Sequence, residues 1–363
     1  MKSNLKAEQQ VIAASNGEST IGVDLGDRWS RYCIVDLAGT IATEARVRTT
    51  PEALEECFEK IQPTRIVMEA GMHSPWVSRL LEKLGHQVIV ANPRKVRLIY
   101  ESDHKNDRVD ARVLAKLGRV DVSLLAPVQH RSAEAQTDLV LARGRDALVA
   151  ARTQLINAVR GVVKSTGARL PSSTTAAFAS KAAPLIPVTL KSALGPLLKS
   201  IQHLSEQIQR CDKRVEELAD QKYPETKLLR QVKGVGPLIS LAYVLTLEDP
   251  ARFRKSRIVG SYLGLQPKQN QSGASAPQLG ITKAGNSFLR RLLVQAAQYI
   301  LGPLAPDSRL RRWGLELAKR GGKNSKKRAV IAVARKLAVL LHKLWATGEV
   351  YDPLYGVASL QTI

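Results

Sequence analysis

The sequence predicts an α/β domain over its first third and a mostly helical remainder. Between residues 19 and 120, short runs rich in β-branched and aromatic residues alternate with amphipathic segments. Further on, apolar residues recur at intervals of three and four over residues 194–218, which is the period of a long helix. The chain has 363 residues, enough for two or three domains with cores of their own.

The elements of the first third follow one another with clear boundaries. The predicted order is two strands in 19–40, a strand in 44–50, a helix in 51–60 with Pro at its start, a strand in 64–70, a helix in 74–85 ended by Gly, and a strand in 86–93. Three antiparallel strands followed by strand–helix alternation are typical of a ribonuclease H-like fold, and other α/β folds are also compatible.

Four acids stand out in this region. Asp24 lies within an apolar strand, Glu69 ends the strand RIVME, and Asp107 and Asp110 begin an apolar-periodic helix. A spacing of three puts the last two on one face of a helix. Adjacent strands with a helix laid across them would bring the four carboxylates to one end of a sheet. Such carboxylates repel one another unless divalent cations neutralise them, and two Mg²⁺ ions there suit phosphoryl transfer.

A purely structural explanation exists for each of these acids. Asp107 and Asp110 suit the N-terminus of a helix, where carboxylates cap the chain and favour the helix dipole. Backbone amides or arginines would satisfy Asp24 and Glu69 equally well. We favour the metal site because four acids share this arrangement.

The motifs around these acids resemble those of the Asp-Glu-Asp-Asp transposases, whose first domain is RuvC-like. The matching segments are GVDLG with Asp24, VMEA with Glu69, and KNDRVDA with Asp107 and Asp110. Family members typically have Lys-Thr-Asp-x-x-Asp-Ala in the third segment, and Asn106 replaces the Thr here. The resemblance implies that all four acids bind Mg²⁺.

Charge separates the first third from the rest. Residues 1–120 carry 18 Lys and Arg against 16 Asp and Glu, whereas residues 121–363 carry 37 against 16. This excess indicates a polyanionic partner, with a solvated basic surface as the alternative. Three widely separated cysteines favour a reduced cytosolic protein without disulfides. We expect no secretory signal and no membrane-spanning helix, and a bacterial cytosolic location.

Two long helices are predicted in the middle of the chain. The first spans 139–165 and is amphipathic, and a Pro-, Gly- and Ser-containing break follows it. The second carries a heptad-like apolar seam from Leu194 to Leu218. That seam would serve either a coiled-coil contact with another copy or a helix hairpin within one chain. Sequence does not separate the two, and we favour a homo-oligomer, a dimer or tetramer.

The last third contains two further motifs. Lys233-Gly234-Val235-Gly236-Pro237 lies between apolar helical runs and looks like a helix-hairpin-helix element, in which backbone amides approach a phosphate. An ordinary tight helical turn is the alternative. A Gly-, Ser- and Gln-rich loop within 260–282 then leads to a basic helix. That loop suits a surface linker, and a serine nucleophile there lacks an evident local base.

The order VKGVGPLIS, YLGLQPKQNQSG and GITKAGNSFLRR resembles the second domain of the same insertion-sequence transposases. The resemblance implies that a serine in the loop attacks DNA and forms a phosphoserine link, and that a structured bridge RNA guides the enzyme to donor and target DNA. Ser272 is the best match. Family members often have Ser-Ser-Gly-Gly-Lys there, so Ser275 is a rival, and Ser287 lies beyond the turn.

The segment 308–345 is strongly basic, with twelve Lys and Arg and one acid. Its apolar stripe predicts a packed helix, whereas its cations suit a phosphate backbone. Arg311 and Arg312 precede Trp313, which combines charge with stacking. The predicted nucleic-acid-binding residues are Lys233, Gly234, Gly236, Lys283, Arg290, Arg291, Arg311, Arg312, Lys326, Lys327 and Arg328.

These observations predict a flexible arm (1–18), a RuvC-like domain (19–128), a helical coiled-coil spacer (129–224), a serine transposase domain (225–348) and a tail (349–363). The predicted function is RNA-guided DNA transposition with a serine nucleophile and Mg²⁺. Two alternatives remain open. One is a metal-dependent junction nuclease that uses water, and the other is a non-catalytic nucleic-acid scaffold.

Overall fold

The computed structural model describes residues 19–99, 107–272, 275, 277, 279–322 and 324–355, without the side chains of residues 98, 99, 107 and 108. The predicted arm and the end of the predicted tail lie outside these ranges. The chain forms two compact units, Met1–Ala133 and Glu134–Ile363. Each has its own hydrophobic core.

In its described part, the first unit has one mixed sheet of five strands. The strands are β1 (Thr20–Asp24), β2 (Trp29–Val35), β3 (Ile41–Arg48), β4 (Arg65–Glu69) and β5 (Gln87–Ala91). Their order across the sheet is β3-β2-β1-β4-β5. The β1–β2 and β2–β3 pairs are antiparallel, and the β1–β4 and β4–β5 pairs are parallel. The predicted α/β class is confirmed, and the sheet is consistent with a ribonuclease H-like fold.

Helices cover both faces of this sheet. They are α1 (Pro51–Phe58), α2 (Ser74–Lys83), α3 (Pro93–Ile99) and α4 (Asp107–Val120). Helices α1 and α2 bury Leu54, Phe58 and Leu81 against one face, which presents Ile21 and Met68. On the other face, α4 packs Ala111 and Ala115 against Cys33 and Val35 of β2. The period of two along each strand separates the two apolar sets.

Gly22 permits the close approach of α4 to the middle of β1. A Cβ at this position would lie 2.0 Å from the carbonyl oxygen of Ala111 and 2.4 Å from the amide nitrogen of Ala115. Further down the helix, Gly118 lies against Val67 and Thr20 in the same way. The absent side chains therefore determine how deep α4 sits on the sheet.

Two long helices begin the second unit. Helix α5 (Ala133–Ser165) starts earlier than the predicted residue 139, and the short α6 (Phe178–Ala182) and the long α7 (Lys191–Gln221) follow. Arg145 of α5 pairs with Asp212 of α7, and Arg152 donates to the Ser205 hydroxyl. The later residue on α5 contacts the earlier residue on α7, so the two helices run antiparallel.

The heptad-like seam of α7 is filled within the chain. Leu194 and Ile201 share a core with Ile156, Val159 and Val163 of α5. The intramolecular helix hairpin is therefore the arrangement observed, and the seam is no evidence for the oligomer that we favoured. The heptad spacing indicates that one face of the helix is packed, but it does not indicate whether the packing helix belongs to the same chain or to another copy.

The remaining helices form the larger core of the second unit. They are α8 (Thr226–Arg230), α9 (Pro237–Leu247), α10 (Arg257–Tyr262), α11 (Ser287–Leu301), α12 (Arg309–Lys319) and α13 (Ser325–Thr347). Helix α9 is buried from Ser240 to Leu247, and the hydroxyl of Tyr243 donates to the carbonyl of Ala338 at 2.6 Å. Leu139 and Val215, from the two long helices, join the same core, which therefore spans the predicted boundary at residue 224. No helix in the described ranges is long and apolar enough to cross a membrane.

Candidate functional site

Two of the predicted catalytic acids end neighbouring parallel strands of the first unit. Asp24 is the last residue of β1 and Glu69 is the last residue of β4. The register pairs Val23 with Met68, so the two acids follow each other at the carboxyl end of the sheet. We predicted Asp24 in mid-strand, and this was wrong: it is half-buried at the strand end, where water reaches it. Glu69 is exposed.

Both acids lie on the face of the sheet that α4 covers. Gly22 and Val67 contact α4, and side chains two residues apart on a strand point to the same face. Because Gly118, near the end of α4, contacts Thr20 at the start of β1, the helix begins at the carboxyl end of β1. The first turn of α4, from Asp107 to Asp110, therefore lies at the same end and on the same face as Asp24 and Glu69.

The donor set at this end of the sheet suits Mg²⁺. Carboxylate oxygens are the ligands that hard divalent cations prefer. Asp110 is half-buried, and the side chain of Asp107 lies outside the described residues. Among the side chains that the structure describes, no three acidic, histidine or cysteine groups are close enough together to hold one metal ion.

A Ser–His pair that the sequence analysis missed holds the loop after β4. The Ser74 hydroxyl donates to the Gly71 carbonyl and accepts from the Gly71 amide, both at 2.9 Å. Its remaining contact is to Nε2 of His130 at 2.8 Å, so this nitrogen is the donor. Burial, together with the nearby Arg79 and Arg131, lowers the pKa of His130. The only sequence signal was a Ser three residues beyond a loop glycine.

The predicted nucleophile lies at the tip of a hairpin in the second unit. The amide of Thr282 donates to the carbonyl of Gln266 at 2.9 Å, and that of Lys268 donates to Gly280 at 2.8 Å. At the tip, Ser272 and Ser275 pair through their backbones at 3.2 and 3.0 Å. Both serines are exposed, and neither hydroxyl has a hydrogen-bond partner within the described ranges.

Arginine and glycine hold the base of this hairpin. Gly264 and Gly285 both have φ of +66°, and a Cβ on Gly285 would lie 2.0 Å from the Tyr262 carbonyl. The guanidinium of Arg290 donates to the carbonyls of Leu263 and Ala284 at 2.9 and 2.6 Å. Arg290 therefore supports the hairpin from below.

Several other predicted nucleic-acid-binding residues also have contacts within the chain. Arg291 forms a bidentate pair with Asp146, and Arg312 pairs with Asp307. Nη1 of Arg311 is buried without a hydrogen-bond partner. For these residues, contact with nucleic acid stays a prediction.

The predicted helix-hairpin-helix segment joins α8 to α9. Gly234 has φ of +96°, and a Cβ there would lie 2.9 Å from the Tyr299 ring, so the packing of this unit already requires glycine. Gly236 precedes α9 with open space beside it, and Lys233 is exposed. Contact of this turn with DNA stays a prediction.

A basic groove runs between the hairpin and helices α12 and α13. It encloses about 1190 Å³, and no Asp or Glu belongs to its described lining. Apolar side chains, including Leu265, Ile281 and Trp313, form part of its wall. Its cationic residues are Arg257, Lys283, Arg320, Lys327, Arg328, Arg335 and Lys336. Lys326 is exposed on the first turn of α13.

Lys336 of this groove lies against an aromatic ring and near a further cation outside the lining. The Lys336 ammonium lies 3.9 Å from the centroid of the Trp313 ring. Burial and the neighbouring Arg309 lower the pKa of Lys336. A polyanion entering the groove would relieve this repulsion.

Two sequence families match the chain over separate segments. One, described as "Transposase" and of the DEDD-type IS110 class, matches residues 21–167. The other, "Transposase IS116/IS110/IS902 family", matches residues 226–309. The first match covers the acids and the second covers the serine hairpin.

Full-length relatives have similar names. A "Probable family 20 transposase" of Pseudomonas aeruginosa is 28% identical, with 92% of this chain and 99% of the relative aligned. The "Transposase for insertion sequence element IS1111A" of Coxiella burnetii is 28% identical over 91% and 90%. The "Putative transposase y4pF/y4sB" of Sinorhizobium fredii is 29% identical over 90% and 85%. Both family matches and all three of these relatives are thus described as transposases, and the two matched segments are similar to domains of the IS110/IS116/IS902 type.

Proposed function

We propose that this protein is an insertion-sequence transposase that cuts and rejoins donor and target DNA through a serine–phosphate intermediate. The observation that carries the proposal is the shared position of the acids. Asp24 and Glu69 end adjacent strands at the end of the sheet where α4 presents Asp110, inside the segment that matches DEDD-type transposases. The names of the relatives support the same role.

The acids serve to hold Mg²⁺ in this proposal. Asp24, Glu69, Asp107 and Asp110 are its ligands, and the bound ion supplies positive charge to a scissile phosphate. Without a cation, four carboxylates would repel the phosphodiester that they have to meet. The acids of this chain therefore both select the cation and determine where the phosphate lies.

Ser272 is the proposed nucleophile. Its Oγ forms a bond to phosphorus while one bond from phosphorus to a deoxyribose oxygen breaks, and the hydroxyl proton ends on that oxygen. Attack by the sugar hydroxyl of another strand reverses the step and frees the serine. One phosphate ester replaces another in each step, so no external energy source is required. The exposed position at the hairpin tip leaves the hydroxyl accessible to DNA.

The basic groove and the predicted cations beside it supply DNA binding. Seven cationic residues and no described acid line the groove, which makes phosphate the matching ligand. A structured bridge RNA as guide is proposed on the family resemblance alone. The homo-oligomer was predicted from the seam of α7, which packs within the chain, and it stays a prediction. Activity that survives RNase treatment would exclude the RNA guide.

The test is a denaturing gel of labelled element-end DNA incubated with protein, co-purified RNA and Mg²⁺. Wild type is compared with Ser272→Ala, Ser275→Ala and Asp24→Ala. We expect a protein-linked DNA band that is absent from the Ser272 and Asp24 variants. A linked band that persists in Ser272→Ala and disappears in Ser275→Ala would transfer the role to Ser275.

Water is the competing nucleophile, because neither serine hydroxyl has a partner that could act as a base within the described ranges. Free nicked DNA that survives both serine substitutions would show a hydrolytic nuclease. DNA binding without Mg²⁺-dependent cleavage in any variant would show a non-catalytic scaffold.

A further inference from the structure

A group of three cations and one aromatic residue, all exposed except for a half-buried Arg31, lies on the β2–β3 hairpin of the first unit. We call Trp29, Arg31, Arg46 and Arg48 the Arg-Trp strip. Trp29 is opposite Arg48, and Arg31 is opposite Arg46, so all four point to one face of the sheet. The guanidinium carbons of Arg46 and Arg48 lie 4.6 and 5.4 Å from the centroid of the Trp29 ring.

The strip adjoins the acidic end of the sheet. Arg31 is the antiparallel partner of Asp24, and directly opposed residues point to the same face. Two residues along β2, Cys33 packs against α4, so this is the face that α4 covers. The strip therefore continues the acid-bearing face outward, beyond the first turn of α4.

Folding by itself does not explain the strip. Like charges directly opposite each other destabilise a strand pair, as in Arg31 with Arg46. Within the described ranges, none of the three arginine side chains has a hydrogen bond or an ion pair. Glu44, the nearest acid on β3, accepts instead from Arg112 of α4. The Trp29 side chain is 43% exposed, although burial would stabilise the fold.

The composition of the strip matches an unpaired nucleic-acid strand. Phosphates neutralise arginines that have no acid partner within the described ranges, and an indole ring offers a stacking surface for a base. A base held in a duplex has both faces stacked, so stacking on Trp29 requires an unpaired nucleotide. The adjoining acids mark where a DNA phosphate has to lie in the proposed function.

We propose that the Arg-Trp strip binds the unpaired DNA strand next to the scissile phosphate. Arg31, Arg46 and Arg48 contact successive phosphates, and Trp29 stacks on one base. The strip attracts the strand to an end of the sheet that its carboxylates would otherwise make repulsive. The location of the cut rests on the proposed function, whereas binding of an unpaired strand by the strip does not.

Photo-cross-linking of the full-length protein tests this binding. A single-stranded DNA containing 5-iododeoxyuridine is irradiated with the protein in metal-free buffer, and mass spectrometry maps the linked peptides. We expect a cross-link at Trp29 that single-stranded DNA competes at about one tenth of the concentration needed for duplex DNA. Trp29→Phe should keep the link, because phenylalanine also stacks.

The double variant R46Q/R48Q tests the arginines. We expect cross-linking at Trp29 to fall about tenfold and its salt dependence to decrease by a slope of about 1.4, because two phosphate contacts are removed. The matched control K83Q/R119Q removes the same charge. These residues end α2 and α4 at the opposite end of the sheet, so the control should cross-link like wild type.

Three results would overturn the inference. They are cross-links in the basic groove without one at Trp29, a Trp29 link that R46Q/R48Q leaves unchanged, and RNA that competes better than DNA. The last result would make RNA the occupant. Cleavage is scored separately in Mg²⁺. A cross-link at Trp29 without cleavage would support binding by the strip and contradict the proposed function. Cleavage without a cross-link at Trp29 would support the proposed function and contradict binding by the strip.

Discussion

Asp24 and Glu69 occupy the last positions of two hydrogen-bonded strands, whereas Ser272 occupies the tip of a hairpin joined by isolated backbone bridges. The sheet determines the separation of the two acids, and α4 is held against them by close glycine contacts. The serine depends on a loop whose base is held by Arg290 and two glycines. Substitutions at the acids should therefore change chemistry alone, whereas those around the hairpin should also change position and stability.

The largest expected effect is on cleavage. Asp24→Asn should reduce the rate of DNA cleavage by at least about 10²–10³-fold, because one anionic metal ligand is lost. DNA binding and the melting temperature should stay close to wild type. Single-turnover cleavage and fluorescence anisotropy measure the two properties.

Asp36→Asn is the matched control for this prediction. Asp36 lies in the turn between β2 and β3 and accepts from the Thr40 amide, a role that Asn can also fill. Cleavage by this variant should equal that of wild type. Equal activity of Asp24→Asn and wild type would remove Asp24 from the proposed site.

Gly22→Ala should produce the largest loss of stability. The new Cβ would overlap the backbone of α4, which can only move away, so we expect a loss of about 3 kcal/mol in the free energy of unfolding. Gly144→Ala, in α5 with open space around the new Cβ, should instead stabilise by up to about 1 kcal/mol. Urea denaturation of both variants measures the difference, and a neutral Gly22→Ala would contradict the close contact.

Arg290 and Arg291 are adjacent, yet their substitutions should differ. Arg290→Gln removes two charge-assisted bonds to carbonyls under the serine hairpin and should cost about 2 kcal/mol. Arg291→Gln breaks a half-exposed ion pair with Asp146 and should cost less than about 1 kcal/mol. Thermal melts report the stabilities. The rate of cleavage should fall in Arg290→Gln. If the hairpin positions Ser272, that rate should fall by more than the loss of folded protein accounts for.

The smallest expected effect is a pH dependence of the first unit. Burial lowers the pKa of both His86 and His130 in the folded state. Below about pH 6.5 the unfolded chain therefore binds more protons than the folded chain. The contribution of these histidines to stability is fully present above that pH, and the free energy of unfolding should decrease as the pH falls below it. Denaturation at pH 7.5 and pH 5.5 measures the loss, and His130→Gln should reduce it. If His130→Gln leaves the loss of stability unchanged, the pH dependence comes from a group other than His130.

Local patterns predicted most of the first unit. Short runs rich in β-branched and aromatic residues located all five strands, and Pro51 and Gly85 marked helix boundaries that the structure confirms. The position of Asp24 at a strand end was missed because a five-residue window does not show where pairing stops. The Ser74–His130 contact was also missed, because the two residues are distant in sequence and meet only through the fold.

Charge patterns predicted less in the second unit. The basic segment 308–345 does line a groove, but Arg290, Arg291 and Arg312 bond to groups of their own unit. The sequence does not distinguish a Lys or Arg that binds a phosphate from one that donates a hydrogen bond to a carbonyl of its own chain. The seam of α7 has the same ambiguity, because an apolar stripe predicts that the helix face is buried but does not identify the helix that covers it.

The sequence by itself determined the elements, their order, the excess of positive charge and the residue types able to bind a metal or attack a phosphate. These follow from periodicity, composition and motif, all of which are local. Only the tertiary structure decided that β1 and β4 are neighbours, that α4 begins beside them, that α7 packs on α5, and which arginines are already bonded. Those facts depend on contacts between distant segments, and such contacts are selected by the packing of whole elements.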